Sequence, residues 1–234
     1  MILQADAKSL EIYCAAYLSQ DQIMLRELRD GLDMHGLNQE AFSLPSRLIS
    51  KVLNFRILYG GSGYSFAHDP DFTSVSTSEK YWNAKIDAFY EKYQGLAIWH
   101  TSIVQQVTLT SQLVMPTGRI YQFQHDPKRG WPETTIKNYP VQGLGADLMS
   151  IARVSFFKRF KNADINGKLI NTVHDSIVVD IHQDEVQRCV RLFDSVFADI
   201  PTNFSKLFGV EFNLPLRCEC AVGHNMKQLE VVTA

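Results

Sequence analysis

Two hydrophobic periods share this chain. Leu169–Ile181 reads Leu-Ile-Asn-Thr-Val-His-Asp-Ser-Ile-Val-Val-Asp-Ile, two β-branched runs around a polar tip, His174-Asp175-Ser176. So short a break between apolar runs predicts two antiparallel strands and a tight turn. Met1–Asp6 reads as the end of a buried strand with an aspartate at its tip. A lone strand cannot satisfy its own backbone, so its neighbours are expected from later in the chain or from a partner. Leu214–Val222 reads as a last strand. The spacing predicts helices over Ser9–Leu18, with Leu10, Tyr13, Cys14 and Tyr17 on one face, and over Asp21–Arg29, stopped near Gly31. Further helices are predicted over Leu44–Tyr59, Thr77–Tyr93, Gly95–Thr110 and Asp184–Phe208, and over Thr134–Phe160 with an early interruption at Pro140. Ser111–Met115 and Arg119–Phe123 flank Pro116-Thr117-Gly118 as a hairpin, and His125–Pro132 is a polar loop.

Leu44–Tyr59 carries the most information. Pro45 suits its first turn and Gly60-Gly61 its end. Arg47, Lys51, Phe55 and Tyr59 fall four apart and make one slanting stripe, two cations followed by two aromatics. Ile49, Val52, Leu53 and Ile57 occupy another arc, free to pack on the body. Aromatics in line with cations are not expected on a merely solvated face, so the stripe reads as functional.

Composition narrows the field. The chain has 234 residues and a net charge of -2. It is long enough for one large or two small domains, and no overall basic field draws in nucleic acid. Cys14, Cys189, Cys218 and Cys220 lack paired metal spacing, so zinc is not expected, and four cysteines without a signal peptide fit a reducing cytoplasm. No apolar run approaches the roughly 20 residues that span a bilayer, so no membrane partner is expected. The Phe157-Lys158-Arg159-Phe160-Lys161 cluster is read as a cationic last turn suited to its helix dipole.

Asp6 and Asp175 both stand at strand tips. If the fold brings them together, their charges repel unless a divalent cation sits between them. Magnesium suits few carboxylates, several waters and phosphate oxygens. Arg47 and Lys51 can neutralise a triphosphate, with Phe55 and Tyr59 facing its base or sugar. Together these predict metal-assisted phosphoryl transfer to a hydroxyl.

At this point a family becomes visible. The chain resembles the C-terminal half of family A DNA polymerases, the class of bacterial DNA polymerase I and several phage replicases. Asp6-Ala7-Lys8-Ser9-Leu10-Glu11 is similar to the first polymerase motif. Arg47, Lys51, Phe55, Tyr59 and Gly60 complete the fingers-helix motif. Val173-His174-Asp175-Ser176 resembles the third motif, Val-His-Asp-Glu. Asn138, Pro140, Gln142 and Gly143 with Ala146-Asp147, and the preceding Thr117–Tyr121, resemble two further signatures.

The resemblance implies an α+β fold: a right-hand palm of antiparallel sheet and helices at 1–20 and 124–234, with mostly helical fingers at 21–123 and no thumb. It implies template-directed DNA synthesis on primer-template DNA from dNTPs. Two magnesium ions would be held by Asp6, Asp175 and the Ala7 carbonyl. Arg47, Lys51 and His35 would contact the triphosphate, and Lys51 would also serve as general acid. Glu11 would block a ribose 2′-hydroxyl. Phe55 would lie by the sugar, favouring discrimination against chain terminators, and Tyr59 by the nascent pair. Arg119, Asn138, Gln142 and His174 would contact DNA. Ser176 stands where the family has an auxiliary glutamate, Ala7 looks phage-like, Arg56 replaces a glycine and Thr134 an arginine. With the first motif so near Met1, the expectation is the C-terminal piece of a split polymerase that needs an N-terminal partner chain carrying thumb and remaining palm. A first strand at Met1 would otherwise leave edges exposed. The competing expectation is a non-catalytic nucleic-acid-binding remnant.

Overall fold

The computed structural model describes residues 1–233. In chain order the elements are β1 (Ile2–Ala7), α1 (Leu10–Ser19), α2 (Gln22–Arg29), α3 (Met34–Ala41), α4 (Arg47–Leu58), α5 (Gly63–Ala67) and α6 (Pro70–Thr73). There follow α7 (Glu79–Lys92), α8 (Gln94–Thr110), β2 (Gln112–Val114), β3 (Ile120–Gln122), α9 (Glu133–Asn162), β4 (Gly167–Val173) and β5 (Ser176–Ile181). A short 3-10 turn leads to α10 (Val186–Ala198), α11 (Ile200–Phe208), β6 (Cys218–Asn225) and β7 (Gln228–Val232). The class is α+β, with helices around an antiparallel sheet. The chain divides into two compact units, Met1–Leu10 with Gly143–Ala234, and Glu11–Gln142. Among the described residues no helix is long and apolar enough to cross a membrane.

The first unit is built on a five-stranded sheet in the order β4-β5-β1-β6-β7. β1 is central and antiparallel to both β5 and β6. The expected open edges of a first strand are therefore absent: both flanks of β1 are paired within the chain. Leu3, Ala5 and Ala7 are buried, while Ile2, Gln4 and Asp6 are half-buried. This alternation gives the sheet one core face and one partly open face. On the core side α10 buries Cys189, Val190, Phe193, Val196 and Phe197. Phe193 stacks on Phe156 of α9 with ring centroids 4.0 Å apart.

Several boundaries differ from expectation. The helix predicted over Asp184–Phe208 breaks into α10 and α11, because Pro201 starts a new helix in its first turn. α9 runs through Pro140 without ending. Pro140 deprives the Ile136 carbonyl of its usual partner, yet the helix continues for more than five turns beyond it. The last strand starts at Cys218 rather than Leu214, since Pro215 has no N–H for a ladder, and β7 was not expected. Arg159, in the cationic last turn of α9, is held internally, with Nη2 2.6 Å from Asp199 Oδ2 and Nη1 donating to Ser195 Oγ at 3.1 Å.

The second unit is helical apart from the β2–β3 hairpin. Gly118, with φ +82°, closes the Pro116-Thr117-Gly118 turn. α4 starts at Arg47, because the Ser46 hydroxyl caps it by accepting the Ile49 N–H, so Pro45 precedes the helix rather than opening it. At its end the Gly60 N–H bonds the Ile57 carbonyl and the Gly61 N–H the Arg56 carbonyl, with Gly60 at φ +77°. That is a Schellman ending, and it needs glycine's freedom at the left-handed position. α3, α5 and α6 carry no clear hydrophobic period and escaped sequence reading.

Candidate functional site

The backbones at Asp6 and Asp175 come close at one end of the sheet of the first unit, Asp6 in β1 and Asp175 in the turn between β4 and β5. Asp6 lies directly opposite Ser176 on β5, and the Ala7 N–H donates to the Asp175 carbonyl at 2.9 Å. The two aspartates, 169 positions apart in sequence, are thus one residue out of step across neighbouring strands. Both are half-buried. Asp175 shares a two-residue turn with His174, which is exposed and holds φ +51°. Ser176 is buried, and its hydroxyl donates to the Val173 carbonyl at 2.9 Å, which tightens the turn. Gln4 Nε2 donates to Asp6 Oδ2 at 3.4 Å.

On the other flank Glu219 of β6 lies opposite Asp6, so it projects on the same face, and Lys8 Nζ sits 3.6 Å from its carboxylate. Glu219 was missed in the sequence; its one signal is the Cys218-Glu219-Cys220 alternation of a half-buried strand. Among the described residues no three histidine, cysteine or acidic side chains gather closely enough to hold a metal. Two carboxylates on adjacent stretches of backbone fit the few-carboxylate preference of magnesium, whose remaining positions go to water and phosphate. They do not suit a closed structural zinc site.

The cationic stripe lies on α4 of the second unit. Arg47 and Lys51 are exposed, and Phe55 and Tyr59 half-buried. Leu53 and Ile57 are fully buried, Ile49 and Val52 partly, so the two arcs separate as their spacing predicts. Lys51 Nζ stands 6.0 Å from the centre of the Phe55 ring. Arg47 grips Asp33 at both ends, Nε to Oδ2 at 2.6 Å and Nη2 to Oδ1 at 2.9 Å. This pairing was not foreseen. It holds the Asp33 carboxyl below the usual carboxylate range and aligns the guanidinium while leaving Nη1 over. Arg56, read as an added charge on the fingers, is consumed internally instead. It pairs with Asp69 at 2.6 Å and lies 4.9 Å from the centre of the Phe72 ring.

His35, on α3, is buried against this helix. Its ring centroid is 5.6 Å from that of Phe55, and Nδ1 is 3.0 Å from Asn54 Nδ2. Burial, helped by the nearby Arg47 charge, lowers its pKa to about 4. The ring is neutral at pH 7. Asp33 occupies the N-cap position of α3.

Tyr59 Oη is buried and makes no hydrogen bond of ordinary geometry. Burial first, then the Glu11 carboxylate, push its pKa far above the usual phenol value, and Gln142 also faces it. The structure therefore gathers Tyr59, Glu11 and Gln142 within one unit. Asn138 keeps its Oδ1 buried without a partner. Arg119 is exposed just before β3, and its carbonyl accepts the Met115 N–H at 2.8 Å.

The family model described as "DNA polymerase family A" matches residues 1–228, and the chain belongs to that family. It is 24% identical over 218 residues to DNA polymerase I of Geobacillus stearothermophilus, covering 86% of this chain and 24% of that protein. It is 25% identical over 239 residues to the thermostable DNA polymerase I of Thermus filiformis, covering 96% and 27%. Among solved structures it matches the POL domain of Pol1 from M. smegmatis in complex with DNA primer-template and dNTP, with TM-score 0.79 and 20% identity, over 95% of this chain and 39% of that one. The chain thus spans about a quarter of the length of these curated relatives.

Proposed function

We propose that this chain extends a DNA primer against a template, joining deoxynucleotides by nucleotidyl transfer. The observation that supports the proposal is that Asp6, in the central strand of a family A chain, lies opposite Ser176, the residue next to Asp175 at the β4–β5 turn. The primer 3′-oxygen bonds to the α-phosphorus of a dNTP, and pyrophosphate leaves. A triphosphate brings about four negative charges, so cations must meet it. Arg47, steadied by Asp33, and Lys51 bind its phosphates, His35 offers a neutral N–H, and Lys51 delivers a proton to departing pyrophosphate. Magnesium held by Asp6, Asp175 and the Ala7 carbonyl would supply the charge neutralisation at the attacking and leaving oxygens.

Glu11, beside the buried Tyr59 hydroxyl, crowds a ribose 2′-hydroxyl, and Phe55 lies under the sugar. Asn138, Gln142, Arg119 and His174 contact primer or template. The chain matches 39% of the M. smegmatis POL domain.

Primer extension tests this, run with and without an upstream polymerase fragment, with magnesium or with EDTA. Extension should require magnesium and fall at least about a thousandfold in Asp175→Ala. Activity that survives this substitution would reject the assigned chemistry. Binding of primer-template without extension in any mixture would favour a binding remnant.

A further inference from the structure

His35 ends a buried chain of hydrogen bonds that starts at an ammonium. Lys92 Nζ donates to Asn38 Oδ1 at 2.7 Å and pairs with Glu27 Oε1 at 2.9 Å. Tyr93 Oη lies 2.8 Å from Glu27 Oε2 and 3.0 Å from the same Asn38 oxygen. An ammonium has no lone pair, so it faces the carbonyl end of Asn38 and turns the amide NH2 the other way. That NH2 donates to Asn54 Oδ1 at 3.2 Å. Asn54 is now oriented in turn, with its own NH2 aimed at His35 Nδ1, 3.0 Å away. An NH2 offers only protons. Nδ1 must therefore accept, and the single ring proton of neutral His35 sits on Nε2.

Each link is needed. Asn38 is 0% and Asn54 2% exposed, so water does not compete for these groups. Reversing either amide would set donor against donor in a region of low dielectric, at a cost well above that of an exposed mismatch. We propose that Lys92, Asn38 and Asn54 form a one-way hydrogen-bond chain that fixes His35 as the Nε2–H tautomer, with Asn54 the positioning residue for this ring's contact with a nucleotide phosphate oxygen. This rests on the phosphate role assigned to His35 above. The design supplies a directed donor beside Arg47 and Lys51 without adding a third positive charge to repel them.

The tautomer is read by 15N NMR on the full chain with labelled histidine, the His35 signal assigned by its loss in His35→Ala. Between pH 6 and 8, Nδ1 should be unprotonated and Nε2 protonated. Asn54→Asp offers Nδ1 only acceptors and should move a proton onto it; Asn54→Leu, close in size, should let the two tautomers average. Each Asn54 variant should raise the KM for dNTP about threefold or more in primer extension, with a smaller change in kcat. A wild-type ring that is already averaged, or protonated at Nδ1, overturns the tautomer assignment whatever the kinetics. If His35→Ala raises KM but the Asn54 variants do not, the positioning role is wrong and the phosphate role stands. If His35→Ala leaves KM unchanged, the phosphate role fails while the tautomer measurement still judges the chain.

Discussion

Asp6 faces Ser176 directly across the β1–β5 ladder, at the position where the family's third motif ordinarily carries glutamate. The site thus trades a third acidic group for a hydroxyl that ties down its own turn through the Val173 carbonyl. Ser176→Glu should lower the magnesium concentration for half-maximal extension by about two- to fivefold, because another carboxylate strengthens the local field. It should also cost about 1 kcal/mol of stability through loss of the turn hydrogen bond at a buried position. A magnesium titration and a denaturant melt on the same preparations check both. An unchanged magnesium requirement would count against placing the metal beside Asp6.

The Tyr59 hydroxyl is buried against the Glu11 carboxylate and Gln142 with no hydrogen bond of ordinary geometry. Tyr59→Phe should therefore change stability by no more than about 1 kcal/mol, since the relief of a desolvated hydroxyl offsets its poorly aligned contacts with Glu11 and Gln142. Urea denaturation measures this apart from catalysis.

Asp21 is 2% exposed and caps two helices at once. Oδ1 accepts the Ile23 and Met24 N–H groups of α2 at 3.0 and 2.9 Å. Oδ2 accepts the Gly95 and Leu96 N–H groups of α8 at 2.7 and 3.3 Å. Asp21→Ala should destabilise by about 2–4 kcal/mol, more than one lost cap. Gly95→Ala should destabilise too, because its Cβ would stand 2.7 Å from the Asp21 Cα. Chemical denaturation of the two variants separates these effects.

Acid should weaken the fold. Burial, with help from the Lys137 charge, lowers the pKa of His100 to about 3, and burial with the Arg47 charge lowers that of His35 to about 4. An unfolded histidine binds its proton near pH 6.5. Below that pH the unfolded state holds more protons, so stability is full above about 6.5 and declines as pH falls toward 4 for His35 and 3 for His100. His100 alone can steepen the slope by at most about 1.4 kcal/mol per pH unit. Melts at pH 7, 6 and 5 should show the decline, and His100→Gln should flatten it.

The elements that could be read from sequence are those with a regular period. The β-branched runs around Asp175 gave their hairpin, and the four-residue spacing of Arg47, Lys51, Phe55 and Tyr59 gave both the helix and its two arcs. What escaped depends on partners far away in sequence. Nothing local marks Arg56 for Asp69, Arg47 for Asp33, or Asn38 for Lys92, and polar residues carry no period to betray burial. The break before α11 was signalled by Pro201, but the apolar spacing on both sides concealed it. At Pro140 the opposite held, with the local breaker rule yielding to the packed faces of α9.

The central position of β1 sets the order of events when the chain is made. Its two partners are β5 and β6, so on a ribosome the first strand waits for some 170 residues of synthesis before either neighbour exists. Helical contacts in Glu11–Gln142 can close early and fast, whereas this sheet must pay a long loop-closure entropy first. The carboxylate pair is thus among the last features to assemble, and until then a strand bearing Leu3 and Ala5 is a natural client for a chaperone.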